Sequence, residues 1–274
     1  MTPGRRPPRL PGFHLSLATT LLVVFSLIVM PLMALVVVVL RADPHHVIEV
    51  LSSRRTLSAY GLSFGAAALA SLISTPMGLG IAWTLVRYEI PFRRFWDALV
   101  DLPFAMPTAV SGIALTQLWG PSGFFGAQLA RAGIDIAFTR AGVVLALVFV
   151  SLPFVVRTVQ PVIESFPREA EEAAASLGAN RITTFRRVIL PALRPALFSG
   201  ATLGFARAVG EYGSVIFIAG NAPFRTEIAP LLVLVRLEEY DYAGAAAIAT
   251  GMLVASAALL AILARAERRG ARGH

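Results

Sequence analysis

Two ionisable residues inside an otherwise apolar stretch are the first candidates for chemistry in this sequence. Arg207 and Glu211 lie four residues apart, so on a helix their side chains share one face. Charged side chains within a membrane-type segment are costly, and they usually serve a function or pair with one another. Two roles stay open: an ion pair that holds packed helices together, or a functional position for Arg207 along a path through the bundle.

The other reactive side chains narrow the possible chemistry. The 274 residues include no cysteine, and the 24 basic residues are all arginine. Disulfides, thiolate metal sites and cysteine nucleophiles are therefore excluded, and a standard phosphate-binding P-loop, which requires lysine, cannot form. The histidines His14, His45, His46 and His274 do not form a metal-binding pattern. The sequence predicts no catalytic residue, no metal site and no cofactor on this chain, so any ATP hydrolysis would occur on another one.

Apolar segments long enough to cross a bilayer must position these residues. Apolar residues make up 56% of the chain and charged residues 15%, against about 25% charged in soluble domains, and the mean hydropathy is +0.71. A spanning helix needs about 20 apolar residues. The first apolar run is too long for a cleaved signal peptide. The six predicted spans are Leu15–Leu40, Tyr60–Val86, Ala98–Trp119, Gly142–Val162, Leu193–Ala219 and Ala243–Ala264.

Prolines and glycines recur inside the predicted spans. In lipid, the backbone groups that they free need partners on neighbouring helices, although proline is also common in membrane helices generally. The pattern predicts an all-α integral membrane protein in which about six helices pack into one bundle. The residues concerned are Pro31, Pro76, Pro107, Pro153, Gly210 and Gly213.

The distribution of arginine predicts the orientation of this bundle. With the N-terminus in the cytoplasm, 15 arginines fall in inner segments and 7 in outer segments. Inner segments of membrane proteins carry the excess of basic residues, so both termini are predicted to be cytoplasmic. Arg157 is predicted to extend from its span to the interface, and Asp101 is a candidate cap for the third span.

The polar connection Glu164–Pro191 has the pattern of a helix, a turn and a second helix. Apolar residues recur at i, i+3, i+4 and i+7, Gly178 marks a helix end, and a second helical piece covers Thr183–Leu190. This shape suits docking of a partner protein. The alternative is a helix that rests on lipid headgroups, which three nearby glutamates disfavour. The apolar positions are Ala170, Ala173, Ala174 and Leu177, and the glutamates are Glu169, Glu171 and Glu172.

The same connection resembles the EAA motif of ABC importer permeases. The match consists of Glu172-Ala173-Ala174, Gly178, Val188 and Leu190-Pro191, with valine where the family usually has isoleucine. In that family this segment docks in a groove on a separate ATPase subunit. The resemblance implies ATPase coupling by Glu172, Ala173, Ala174, Gly178, Arg186, Arg187, Leu190 and Pro191, and a type I, MetI-like bundle.

Several other stretches resemble the sulfate/thiosulfate permeases of this family, and their T-type subunits more than their W-type ones. The Gly-Glu-aromatic-Gly element also occurs in molybdate permeases, so a molybdate or tungstate permease is the alternative. A secondary anion transporter is a weaker one, because the internal repeats of such transporters are not evident. A membrane enzyme would need clustered acid, base or metal-binding residues, which are not found. The stretches are Leu102–Val110, Pro153–Pro161, Gly210–Asn221, Arg225–Glu227 and Val235–Tyr242.

The resemblance implies a complex in the bacterial inner membrane. This chain would pair with a second, homologous W-type permease subunit and with two identical ATPase subunits that bind ATP and Mg²⁺. A periplasmic sulfate/thiosulfate-binding protein would deliver the anion to the outer face, where the implied contacts are Glu227, Arg236 and Glu239. The alternative is that these residues belong to a charged loop that is simply exposed to solvent.

The resemblance also implies a division of the chain. Residues 1–58 would comprise a cytoplasmic N-terminal arm, the first transmembrane helix and a periplasmic loop. Residues 59–265 would form the transmembrane domain, with the coupling segment at 164–191, and residues 266–274 a cytoplasmic tail.

Overall fold

The computed structural model describes residues 12–271, without the side chains of 266 and 268–271. The predicted N-terminal arm, with Arg5, Arg6 and Arg9, and the end of the predicted tail, with Arg272, lie outside the described residues. Within them every regular element is helical, which confirms the all-α prediction. The helices are α1 (Phe13–Arg41), α2 (Pro44–Ser52), α3 (Arg54–Arg87), α4 (Arg93–Ala105), α5 (Thr108–Trp119), α6 (Gly126–Arg131), α7 (Arg140–Ser165), α8 (Arg168–Ser176), α9 (Arg181–Val209), α10 (Gly213–Ala219), α11 (Ala229–Glu238) and α12 (Tyr242–Ala271).

The helices α3, α7 and α9 form the centre of the bundle. Small residues at their contact faces let the backbones approach closely, as is typical of membrane helices. A β-carbon at Gly78 of α3 would clash with α7. The hydroxyl groups of Ser74 and Ser151 are hydrogen-bonded at 2.8 Å, and Ser71 Oγ donates to the carbonyl of Ala201 at 2.7 Å. Close packing and internal hydrogen bonds therefore hold this centre together.

Five helices are long and apolar enough to cross a membrane, and the bent pair α4 and α5 raises the number to six if it counts as one span. The third predicted span, Ala98–Trp119, therefore falls on two helices and not on one continuous helix. α4 and α5 meet at 113°, because Met106 adopts an extended conformation before Pro107. Proline disfavours helical geometry in the residue before it.

The fifth predicted span, Leu193–Ala219, also has different bounds. α9 begins at Arg181, so the second helical piece of the polar connection and the span are one helix, and it ends at Val209. Residues 210–212 then interrupt the helix before α10. The π-helical turns Phe25–Val29 in α1 and Phe185–Ile189 in α9 each precede a proline by two residues, whose missing N–H displaces the helical hydrogen bonds.

The first span lies at the edge of the molecule. None of the residues of α1 is buried, and α1 packs against α12. Asp43 then caps α2 by accepting the N–H of His45 at 3.1 Å, and Val50 joins a small core with α3, α11 and α12. The apolar surface of α1 is therefore left for lipid or for another protein.

The helix α3 connects the two polar ends of the bundle. Its 34 residues extend for about 51 Å at about 1.5 Å per residue. Near its first residue, Arg55 pairs with Glu227 before α11. At its last residue, Arg87 pairs with Glu171 of α8. The segment predicted to couple to an ATPase and the loop predicted to receive a binding protein thus lie at opposite ends.

Candidate functional site

The connection between α7 and α9 forms a helical hairpin at one end of the bundle. Gly178 has φ +82°, and the N–H of Ala179 donates to the carbonyl of Ala174 at 3.0 Å. This is the Schellman arrangement that ends helices, so the predicted helix end at Gly178 is confirmed. Asn180 then caps α9, because its Oδ1 accepts the N–H of Thr183 at 2.8 Å.

The tip of this hairpin exposes two large apolar side chains. Leu177 is 90% exposed and Ile182 is 70% exposed, one on each side of the glycine turn. Ile182 is not among the residues predicted from the motif. An uncovered apolar tip on a polar connection is typical of a surface that a partner protein covers. Of the predicted coupling residues, Glu172, Ala173, Gly178, Arg186 and Arg187 are exposed, and Ala174, Leu190 and Pro191 are half-buried.

Charged side chains attach the hairpin to the bundle. Arg87 Nη2 lies 2.6 Å from Glu171 Oε1, and the Arg87 guanidinium lies 5.3 Å from the centre of the Trp83 ring. Arg93 Nη2 lies 3.8 Å from Glu164 Oε1 at the end of α7. The role of Glu171 leaves no local sequence pattern, because its partner is 84 positions earlier.

Arg207 and Glu211 lie beside the break between α9 and α10. The Glu211 side chain is 1% exposed, and its Oε2 lies 2.7 Å from Arg207 Nη1. Its Oε1 accepts hydrogen bonds from the backbone N–H of Ser214 at 2.9 Å and from Ser214 Oγ at 2.8 Å. The buried carboxylate thus has a cation on one oxygen and the first turn of α10 on the other, while the Arg207 side chain keeps 34% of its surface exposed.

The breaks in the two interrupted spans lie next to each other. A β-carbon at Gly213 would overlap the side chain of Thr108, the first residue of α5. A β-carbon at Gly112 would lie 2.5 Å from the carbonyl oxygen of Ser214. Only glycine permits this approach of α5 to α10. The pair of Arg207 and Glu211 therefore lies where both spans are interrupted.

Arg157 was expected from the sequence to extend to the interface, but its side chain is instead bound by acidic and polar side chains. Its Nε and Nη2 donate to the two oxygens of Asp101, both at 2.7 Å. Its Nη1 donates to Asp97 Oδ1 at 2.7 Å and to Gln160 Oε1 at 2.6 Å. Asp101 therefore binds α7 and does not cap a helix. The spacing of Asp97 and Asp101, four residues apart, together with an intramembrane arginine that needs partners, could have indicated this cluster.

At the opposite end, Glu227 does not present its carboxylate to the surface. It is 2% exposed, and Arg55 donates to both of its oxygens, at 2.8 and 2.7 Å. Arg236 is half-buried between Glu239, at 3.5 Å, and Asp241, at 3.3 Å. Of the three residues implied as binding-protein contacts, Glu239 is thus the exposed one.

Asp241 forms the corner between α11 and α12. Its Oδ1 accepts the N–H of Gly244 at 2.8 Å and lies 3.0 Å from His46 Nε2 of α2. Burial alone would raise the pKa of Asp241, but these two hydrogen bonds and the nearby charges of His46 and Arg236 outweigh burial and lower the pKa below its ordinary value. The ionised carboxylate therefore links α2 to the first turn of α12.

Comparison with known sequences gives a consistent result. The model of the family described as binding-protein-dependent transport system inner membrane component matches residues 74–272. The sulfate transport system permease proteins CysT of Salmonella typhimurium and Escherichia coli are each 47% identical over 251 residues, which cover 92% of this chain and 91% of each relative. A probable sulfate transport system permease protein of Nephroselmis olivacea is 47% identical over 243 residues, 89% of this chain and 86% of the relative.

Solved structures share the fold. A bacterial ABC transporter that imports the acidic polysaccharide alginate has a TM-score of 0.73 at 17% identity, covering 93% of this chain and 94% of that one. The MetNI methionine ABC transporter has a TM-score of 0.55 at 20% identity, covering 85% and 98%. At such identities the likeness concerns the fold, the predicted MetI-like bundle. Together with the sequence matches and the helical hairpin, it establishes that the chain belongs to the binding-protein-dependent inner membrane components, the permease subunits of ABC importers.

Proposed function

We propose that this permease carries sulfate or thiosulfate across the bacterial inner membrane in an ATP-driven importer. The observation that carries the proposal is the 47% identity, over 92% of the chain, to permeases named for sulfate transport. A molybdate or tungstate permease is the runner-up, because the Gly-Glu-Tyr-Gly element at residues 210–213 resembles both classes.

The partners follow from the same proposal. Two identical ATPase subunits bind ATP and Mg²⁺, since this chain has no lysine for a P-loop. One of them docks on the hairpin tip around Leu177 and Ile182. A W-type permease completes the pathway. A periplasmic sulfate/thiosulfate-binding protein docks at the end that carries Glu239 and Arg236. Both termini lie in the cytoplasm, and the division into residues 1–58, 59–265 and 266–274 remains part of the proposal.

The geometry of the hairpin suggests how hydrolysis elsewhere would move this chain. α7 leads into α8 through residues 166 and 167, and α9 continues without interruption from the hairpin to Val209, two residues from Glu211. A displacement of the tip is therefore carried along α9 to the break before α10. In the importer, this motion would open the bundle to one side and then to the other.

The test is uptake of labelled sulfate into proteoliposomes that contain this chain with the ATPase, second permease and binding protein encoded beside it. We expect uptake that requires ATP and that unlabelled thiosulfate suppresses. Gly178→Asp serves as the coupling control, because it places a negative charge at the exposed turn between the apolar side chains of Leu177 and Ile182 and should abolish uptake. Suppression by molybdate alone would change the substrate, and uptake without ATP would overturn the importer assignment for a secondary transporter.

A further inference from the structure

A basic cavity lies at the hairpin end of the bundle, where α3, α4, α7 and α8 meet. Its volume is about 400 Å³, and Arg87, Arg93 and Arg168 line it together with Glu164 and Phe166. Since a water molecule takes about 30 Å³ of liquid, the space could hold roughly a dozen waters. Three arginines line it against Glu164, and with Glu171 beside Arg87 one positive charge remains in excess, which favours anions.

Arg87 supplies buried donors that make no aligned hydrogen bond among the described residues. Its side chain is 12% exposed, and its Nε and Nη2 atoms are buried without a hydrogen-bond partner among the described residues. Nη2 is close to Glu171 Oε1, at 2.6 Å, yet that oxygen also lacks an aligned donor, so the contact is a charge pair without hydrogen-bond geometry. Buried guanidinium donors are costly to leave unpaired.

The other two arginines are free to turn toward a ligand. Arg93 is half-exposed, and its contact with Glu164 is loose at 3.8 Å. Arg168 is exposed, and within the described part of the chain its side chain makes no hydrogen bond or ion pair. It is also the first residue of α8, whose N-terminus after Pro167 has no side-chain cap. Such a helix start offers backbone N–H donors to the cavity, while Glu169 and Glu171 in the same first turn offset its positive partial charge.

We propose that this cavity binds a tetrahedral oxyanion: either the phosphate of an anionic membrane lipid or a free sulfate or phosphate ion. The anion accepts hydrogen bonds from Arg87, Arg93 and Arg168 and bridges the ends of α3 and α4 to the start of α8. Its binding therefore sets the position of the hairpin relative to the bundle. This site lies at the hairpin end of the bundle, and its role does not depend on which anion is transported.

Binding to the purified full chain, with the subunits that copurify with it, tests the proposal. After removal of lipid, phosphatidylglycerol and phosphatidylcholine are compared by native mass spectrometry, and labelled inorganic phosphate is titrated in parallel. The test variant is Arg93→Ala with Arg168→Ala, which keeps the Arg87 contact to Glu171. The control is Arg94→Ala, an exposed arginine of the same helix that does not line the cavity.

We expect the double alanine variant to bind about tenfold more weakly or worse, since it loses charge-assisted hydrogen bonds, while Arg94→Ala is unchanged. The double lysine variant should retain part of the affinity because it keeps the charge. Preference for phosphatidylglycerol identifies the lipid as the source, and binding of phosphate without a lipid preference identifies the free ion. The proposal would be overturned if the double alanine variant, still copurifying with its subunits, bound each probe as strongly as the wild-type chain does. A loss of binding in Arg94→Ala as large as that in the double alanine variant would also overturn it.

Discussion

At the scale of single residues, Glu211 shows how a membrane bundle tolerates a buried carboxylate. Arg207 and the first turn of α10 take one oxygen each, so the unit carries no net charge and does not repel an anion on that account. The structural role left open by the sequence therefore has direct geometric support, and it leaves the exposed part of Arg207 available to a substrate.

Removal of Arg207 should destabilise the bundle before it affects transport. Arg207→Ala leaves a 1% exposed carboxylate without its cation, which typically costs about 3–5 kcal/mol. We expect little assembled complex by size-exclusion chromatography and partial recovery when Glu211→Gln is added, because the second change removes the unpaired charge. Normal assembly of Arg207→Ala with lost uptake would instead place Arg207 on the translocation path.

The two carboxylate partners of Arg157, Asp101 and Asp97, should contribute unequally to the stability of the fold. Asp101 accepts two hydrogen bonds from its guanidinium through both carboxylate oxygens, whereas one oxygen of Asp97 accepts a single bond. Charged hydrogen bonds contribute about 1.5–3 kcal/mol each, so thermal unfolding in detergent should show losses in the order Arg157→Ala, Asp101→Asn, Asp97→Asn. A larger loss in Asp97→Asn than in Asp101→Asn would contradict the observed geometry.

At the scale of elements, the glycine turn is what gives the hairpin its shape. The space around Gly178 is open, and a β-carbon added there would have no neighbouring atom within 4 Å, so a substitution is penalised by the backbone conformation alone. Left-handed geometry costs an ordinary residue about 1–2 kcal/mol, and asparagine tolerates it best. The turn therefore depends on the residue at 178 and not on packing around it.

Replacements of Gly178 should accordingly form a graded series. We expect Gly178→Asn to keep most ATP-driven uptake, Gly178→Ala to lose part of it, and Gly178→Val to lose nearly all, with the thermal stability of the spans changed little. Uptake and ATPase activity measured on the same proteoliposomes would show this as a falling ratio of transport to hydrolysis. Equal activity in all three variants would mean that the turn geometry does not matter for coupling.

Asp241 should make the stability of the fold depend on pH. Because its folded-state pKa is lowered, ionised Asp241 stabilises the fold above its ordinary pKa of about 3.9, and this contribution is lost as the pH falls through the lower folded-state pKa. Between pH 6 and 3 the unfolding temperature of the wild-type chain should therefore drop more than that of Asp241→Asn. Parallel curves for the two proteins would show that the corner does not contribute.

The sequence located the long helices well and the breaks poorly. Hydropathy marks any run that is long enough to cross lipid, so the predicted and observed spans differ mainly at their ends. Proline patterns do not tell whether the chain bends, and so the 113° turn at Pro107 and the interruption after Val209 were missed. Ion pairs between distant residues, such as Arg55 with Glu227, 172 positions apart, leave no local pattern, whereas the hairpin motif is local and was found.

At the scale of the whole molecule, the coupling hairpin and the Asp241 corner lie at opposite ends of the bundle. The chain contains no cysteine, so one introduced thiol can be labelled without background. With the proposed orientation, Ser176→Cys should react with a membrane-impermeant maleimide only in inverted vesicles, and Glu238→Cys only in intact spheroplasts. Both residues are exposed. Labelling with the opposite sidedness would reverse the orientation proposed for both termini.

The length of α3 has a mechanical consequence. An α-helix of 34 residues, anchored by Glu171 at one end and Glu227 at the other, acts as a stiff strut between the two faces. A displacement of the hairpin therefore shifts α3 as a whole and reaches the opposite face of the bundle. The helix can bend most easily at Pro76, its single internal proline, because a backbone hydrogen bond is missing there. One helix thus fixes how far the two faces can move independently.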